Sequence, residues 1–344
     1  MKLNVGIAGY GIIGKRRHIY IDQNESLNTV AVCDQNFKSI DVIKNGIVCY
    51  PNYKDLLNRN DLDVIFISLP NYLAPEVTVK SLEKGLHVFC EKPPSKTVEE
   101  VNDVLETKKK YPLQKLKYGF NHRYHQSVKD AYKIYESKEL GEIINLRGVY
   151  GKNGYTSFSN GWRSKRKYSG GGILLDQGIH MVDLIRHFCG NFDEVHSFIS
   201  NKYWNCDVED NAYSIMKNEK GQIAMLHSSA THWQHKFSLN IFLTEGYLIL
   251  SGFLTSSKSY GQEKLIIGKR NNLPTGTNKE EIITYVEDNS FQDEINEFVL
   301  SIINDTQIQS GSIYDALSTM KLVYKIYYSD KKWRNLMKIN NPNI

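Results

Sequence analysis

Apolar runs in the first 120 residues fall at Leu3–Ala8, Thr29–Cys33, Val64–Ser68, His87–Cys90 and Leu116–Phe120, with helical patterns over Tyr53–Asn58, Tyr72–Lys84 and Thr97–Tyr111 between them. Short strands alternating with helices predict a parallel sheet with crossover helices on its faces. Val64-Ile65-Phe66-Ile67 carries no polar residue, as a strand covered on both sides requires. After about residue 122 the rhythm changes. A helix near Ser127–Ser137 and a strand at Glu142–Val149 lead into a polar, glycine-rich loop, Gly151–Gly172, and then an apolar helix at about Ile173–Phe188. Strand-like segments follow at Val195–Ser200, Ala212–Met216, Gln222–Ser228, Phe237–Leu243 and Tyr247–Ser251. Turn residues Gly221, Gly246 and Gly252 separate several of them, which predicts a meander of antiparallel strands. Amphipathic helices at Phe291–Asn304 and Tyr314–Tyr328 close the chain.

A length of 344 residues fits two domains better than one. The rhythm change divides them into 1–121 and 122–344, with the last helices free to pack back on the first. Hydrophobic and charged fractions of 41% and 24% are ordinary for a soluble protein. A net charge of +5 is too mild to suggest a nucleic-acid partner. Five cysteines, an odd number without C-x-x-C spacing, suit reduced thiols in the cytoplasm. The chain opens straight into a strand pattern, and no apolar run approaches the ~20 residues of a membrane helix. The expectation is a soluble, cytoplasmic protein with no membrane partner. His227, His232 and His235 match no good metal-site spacing, so no metal is expected.

Directly after the first strand comes Gly9-Tyr10-Gly11-Ile12-Ile13-Gly14, a G-x-G-x-x-G that opens a helix, with Asp34 twenty residues beyond Gly14 at the end of the next strand. Gly9 permits the tight turn, Gly11 lets a pyrophosphate approach the backbone, and Gly14 lets helix and strand pack closely. The N–H groups around Ile12 and Ile13 and the helix dipole favour phosphate. Asp34 would accept from the ribose hydroxyls and repel a 2′-phosphate, which points to NAD over NADP. The basic run Lys15-Arg16-Arg17 leaves a route for NADP.

Two further segments carry chemistry. Glu91-Lys92-Pro93-Pro94 places a charged pair at the carboxyl end of a buried strand, where open α/β sheets bind ligands. The run Gly170-Gly171-Gly172-Ile173-Leu174-Leu175-Asp176-Gln177-Gly178-Ile179-His180-Met181-Val182-Asp183 puts Asp176 and His180 four apart, on one face if the segment is helical. Gly178 weakens a helix, so something needs close approach there. Asp183 continues the polar face and reads equally as a capping or packing acid.

With Pro70-Asn71, Gly119-Phe120-Asn121-His122-Arg123 and Trp162-Arg163, these motifs resemble the Gfo/Idh/MocA family of oxidoreductases over nearly the whole chain. The resemblance implies a Rossmann domain followed by an α/β domain whose large open sheet often mediates homodimers or homotetramers. It implies a catalytic set of Lys92, Asp176 and His180, and a cis bond between Lys92 and Pro93. Cofactor contacts are expected from Pro70, Asn71, Glu91, Lys92, Trp162 and Arg163, besides the N-terminal motif. Substrate contacts are expected from Lys92, Arg123, Arg163, Lys165, Asp176 and His180. Relatives often carry His three residues after the asparagine of Pro-Asn, where this chain has Ala74.

Alcohol oxidation removes a hydroxyl proton while hydride leaves the same carbon. An imidazole such as His180 takes such a proton near neutral pH, and a lysine such as Lys92 stabilises charge on the oxygen. Asp176 would orient the ring or bind a neighbouring hydroxyl. A sugar, polyol or nucleotide-sugar dehydrogenase or ketoreductase is the reading these residues favour. An NAD-using glycosidase or lyase and a non-catalytic NAD-binding sensor stand as alternatives. The basic stretch Arg163-Ser164-Lys165-Arg166-Lys167 is either solvated surface or a receiver for an anionic substrate group.

Overall fold

The computed structural model describes residues 2–43, 46–154, 161–255, 259–271 and 279–341. The chain forms two compact units, one of Met1–Asn121, Lys167–Gly170 and Phe291–Leu317, the other of His122–Arg166, Gly171–Ser290 and Ser318–Ile344. Among the described residues no helix is long and apolar enough to cross a membrane.

The first unit is built on β1 (Leu3–Ala8), β2 (Leu27–Cys33), β3 (Asp41–Val42), β4 (Val48–Tyr50), β5 (Val64–Ile67), β6 (His87–Glu91) and β7 (Leu116–Gly119). They line up as β3-β4-β2-β1-β5-β6-β7, parallel except for the short edge pair β3–β4. Helices α1 (Ile12–Asp22), α2 (Tyr53–Leu57), α3 (Ala74–Glu83) and α4 (Val98–Lys110) make the crossovers. Strand order reverses about β1, which opens a crevice at the carboxyl ends of β1 and its neighbours. All four residues of β5 are buried, in accord with their unbroken apolar run. Ile295, Phe298 and Val299 of the late helix Ser290–Ile303 join the same core, with Phe298 edge-on to Phe66 and Phe89 at 6.0 and 5.6 Å.

One ion cluster ties this unit together. Arg17 of α1 is 1% exposed, donates to Glu91 at the end of β6 and to Glu294 of the late helix, both at 2.7 Å, and lies over the rings of Phe89 and Phe291. Burial pushes the Glu294 carboxyl up to about 7, against the pull of Arg17 and Lys117.

The second unit opens with α5 (Gln126–Glu136) and β8 (Ile143–Gly151), followed by α6 (Arg166–Ser169), much of which belongs to the first unit, and α7 (Ile179–Cys189). Seven strands follow: β9 (Glu194–Ser200), β10 (Asn211–Lys217), β11 (Ile223–Ser229), β12 (Lys236–Leu243), β13 (Gly246–Ser251), β14 (Glu263–Lys269) and β15 (Glu280–Tyr285). Their order, β15-β14-β13-β12-β8-β11-β10-β9, makes a large, mostly antiparallel open sheet. The exception is β8 with β11, which run parallel because α7 and two strands intervene between them. The chain therefore has the expected fold class, an N-terminal Rossmann sheet plus an α/β unit with an open sheet. Strands β14 and β15 lie beyond the strand pattern read from the sequence.

The expected helix from Ile173 to Phe188 divides in two. Leu174–Gly178 forms a π turn, and regular α-helix begins only at Ile179. A Cβ on Gly178 would meet Ser228 Oγ of β11 at 2.5 Å, which is the close approach its glycine serves. Nine of the eleven residues of α7 are buried.

Replacing Arg17 with Met should strand the Glu294 carboxylate and cost ~3–5 kcal/mol. The pair Arg17→Met with Glu294→Leu should regain a large part of it. Urea denaturation at pH 7 measures both; a single Arg17→Met protein within ~1 kcal/mol of the parent would remove the cluster from the core.

Candidate active site

At the amino end of the first unit, backbone geometry explains the glycine motif. Gly9 has φ +94° and a Cβ there would lie 2.5 Å from the Ser68 carbonyl oxygen, while a Cβ on Gly14 would lie 2.0 Å from the Gly9 carbonyl oxygen. Those two positions are closed by the protein's own backbone. Gly11 differs, because among the described residues nothing beyond its own chain neighbours lies within 4 Å of its would-be Cβ. The space over Gly11, at the start of α1, is what a dinucleotide pyrophosphate would fill. Ile12 is 81% exposed beside it. Asp34 follows β2 half-buried, and one of its oxygens accepts from the backbone and side-chain amides of Asn36 at 3.0 and 2.7 Å. These residues fit NAD.

The basic run after the motif divides its roles. Arg17 is enclosed with Glu91 and Glu294 and does not serve a 2′-phosphate, which leaves Lys15 and Arg16 as the candidates there. Glu91, expected at the cofactor, is the same carboxylate that receives Arg17. Asn71 is 4% exposed, and its amide donates to the Ser169 carbonyl at 2.7 Å. The Lys92–Pro93 peptide is cis, and Lys92 is half-buried.

In the second unit the glycine-rich loop is held by Glu209. This buried carboxylate accepts from the backbone N–H of Gly172 at 2.7 Å and of Leu174 at 2.9 Å, and from the Tyr327 hydroxyl at 2.7 Å. Burial pushes its carboxyl above the usual range, while these donors pull it back. The π turn that follows carries Asp176, and α7 begins with His180 in its first turn. π turns recur at functional sites because they re-aim side chains. Arg163 lies 3.7 Å from Asp176 and stacks on Trp162 at 4.4 Å.

His180 is 3% exposed and lies flat on the ring of His122, with centroids 3.7 Å apart and planes inclined by 11°. His122 Nε2 is 3.0 Å from the Tyr150 hydroxyl. Burial, then the neighbouring Tyr260, then Asp176 push the Tyr150 phenol well above its ordinary range. The Tyr260 phenol is pushed up to about 12 for the same leading reason.

Arg123, expected at the substrate, forks onto buried Asp183 with two bonds of 2.7 Å, and Thr319 donates to the same carboxylate at 3.2 Å. Asp183 thus acts as a packing acid. Lys165 is exposed, whereas the Arg166 backbone N–H donates to Asp207 and its guanidinium to the Met337 carbonyl. His122, Tyr150, Tyr260 and Glu209 went unassigned in the sequence, since each is joined to this site only by contacts across tens of residues.

Residues 3–120 match the model of the oxidoreductase family with NAD-binding Rossmann fold, and residues 128–249 match the GFO/IDH/MocA C-terminal domain. Levoglucosan dehydrogenase of Pseudarthrobacter phenanthrenivorans is 26% identical over 58% of this chain and 54% of its own length. D-glucoside 3-dehydrogenase of Escherichia coli is 28% identical over 70% of this chain and 71% of its own. The matched part thus spans about half the length of the first of these relatives. A solved structure of levoglucosan dehydrogenase in complex with NADH superposes with a TM-score of 0.84, covering 97% of this chain and 98% of that one at 19% identity, which establishes the fold.

Asp34 should make NAD(H) bind at least about tenfold more tightly than NADP(H), or ~1.4 kcal/mol. Parallel calorimetric titrations decide it, and equal or reversed affinities would assign the ribose end to Lys15 or Arg16 instead.

Proposed function

The chain belongs to the Gfo/Idh/MocA family of oxidoreductases, and from that membership we propose that it moves a hydride between NAD and a hydroxyl-bearing carbon of a sugar or polyol. The observation that carries the proposal is His180, a buried imidazole at the head of α7, beside a π turn that presents Asp176. Bound NAD supplies the hydride acceptor, and its reduced form the donor. His180 takes the hydroxyl proton as the C–H bond breaks. Lys92 hydrogen-bonds the same oxygen and steadies its developing negative charge. Asp176 binds a neighbouring hydroxyl or orients the imidazole, and Trp162 and Arg163 contact the cofactor. Carbonyl reduction uses the groups in reverse.

An uncharged sugar or polyol is favoured over an anionic or nucleotide-activated one. Arg123 is already forked onto Asp183, so one of the cations expected at the substrate is paired within the protein. Five cysteine thiols support a cytoplasmic setting. A homodimer or homotetramer through the open sheet is supported by an exposed apolar row: Phe198 is 80%, Tyr213 50% and Ile215 56% exposed on β9 and β10.

A panel of free sugars and polyols against nucleotide sugars, followed by NADH absorbance, tests the substrate class. On the best substrate, His180→Ala and Lys92→Ala should each lower kcat by ~100-fold or more, with NAD binding retained. The double variant should lose less than the product of the two, since both act on one oxygen. Full turnover with an unchanged acid limb in His180→Ala would end the assignment. Phe198→Asp should lower the mass seen by light scattering, and an unchanged mass would place the interface elsewhere.

A further inference from the structure

The stacked pair of imidazoles has no counterpart in the proton transfer just described, which uses one of them. His122 sits in the short 3-10 turn Asn121–Tyr124, is 5% exposed, and gives one face of its ring to His180 at 3.7 Å. Its other surroundings are set. The Phe253 ring meets it edge-on at 4.8 Å, and the Tyr150 hydroxyl lies 3.0 Å from Nε2. Two rings at this spacing, both screened from water, do not both carry a proton without strong like-charge repulsion.

We propose that His122 is a positioning residue for His180: a second imidazole, pinned by Tyr150, that fixes the plane of the catalytic ring and keeps it receptive to the substrate proton. The inference rests on His180 being the group that takes that proton.

Several charged groups surround the pair. Among the described residues, His125 faces the pair from the start of α5 and is matched by Glu263 of β14 at 2.8 Å. Arg123, next to His122, is matched by Asp183 of α7. Asp176 acts on Tyr150 and Tyr260, and Arg163 approaches it at 3.7 Å. His122 shares a ring face with His180.

His122→Phe keeps a flat ring against His180 and removes the second proton site. With no second ring competing for the one proton the pair holds, His180 keeps that proton to higher pH, and the unprotonated base is lost sooner on acidification. The acid limb of kcat/KM for alcohol oxidation should move up by about one pH unit, roughly a tenfold loss at a pH on that limb. His122→Gln removes the same proton site while leaving a polar atom for Tyr150, and should move the limb in the same direction if the ring is not tolerated as Phe. Titration of the histidine ring signals by NMR on the NAD-bound enzyme, with His180→Ala used to assign the resonance, reads the same shift without turnover. An acid limb and a His180 midpoint both unmoved in either variant overturn the inference. A His180 midpoint that rises while the acid limb stays put upholds the coupling of the two rings and removes His180 as the base.

Discussion

Glu209 has no exposure to solvent, and three donors converge on its carboxylate: two backbone amides of the glycine-rich loop and the hydroxyl of Tyr327. Hydrogen bonds to a buried charge are each worth ~1.5–3 kcal/mol, and leaving such a charge unmet costs more. The loop is therefore held at Gly172 and Leu174, and the chain must begin its next helix from there. A Cβ on Gly172 would stand 2.0 Å from the Glu209 carbonyl oxygen, so the approach tolerates no side chain. With its start fixed at one end and Gly178 pressed on Ser228 at the other, the segment takes up its extra residue as a π turn. The direction of Asp176 and the placement of His180 follow from that accommodation.

A second constraint of the same kind organises the first unit. Arg17 leaves the cofactor helix inward rather than toward solvent, and two carboxylates from distant segments meet it. The dinucleotide motif is thereby attached to β6, whose end carries Lys92, and to a helix nearly 280 residues later in the chain. In both units a buried charge with several partners fixes the course of a segment, which explains why polar groups occupy positions a purely apolar core would fill.

Much of this protein is determined locally. Gly9, Gly11 and Gly14 with Asp34, the apolar β5 run, and the alternation of strand and helix specify a dinucleotide-binding sheet because each signal acts within one βαβ unit. Asp176 and His180 stand out for a similar reason, a polar pair spaced four apart in an apolar segment. Alternation of inward and outward residues is clear enough in β10 to place its faces. What pattern did not give were the contacts that join segments far apart in sequence. Arg17 reads as a solvent-facing basic residue until Glu294 is brought to it. His122 reads as part of a motif until β8 and α7 set Tyr150 and His180 on two sides of its ring. Strands β8 and β11 become parallel neighbours only once α7 has crossed between them. Local periodicity records how each segment buries its own apolar face; the partner of a buried charge or ring is chosen by packing of the whole chain, and only the tertiary structure decides it.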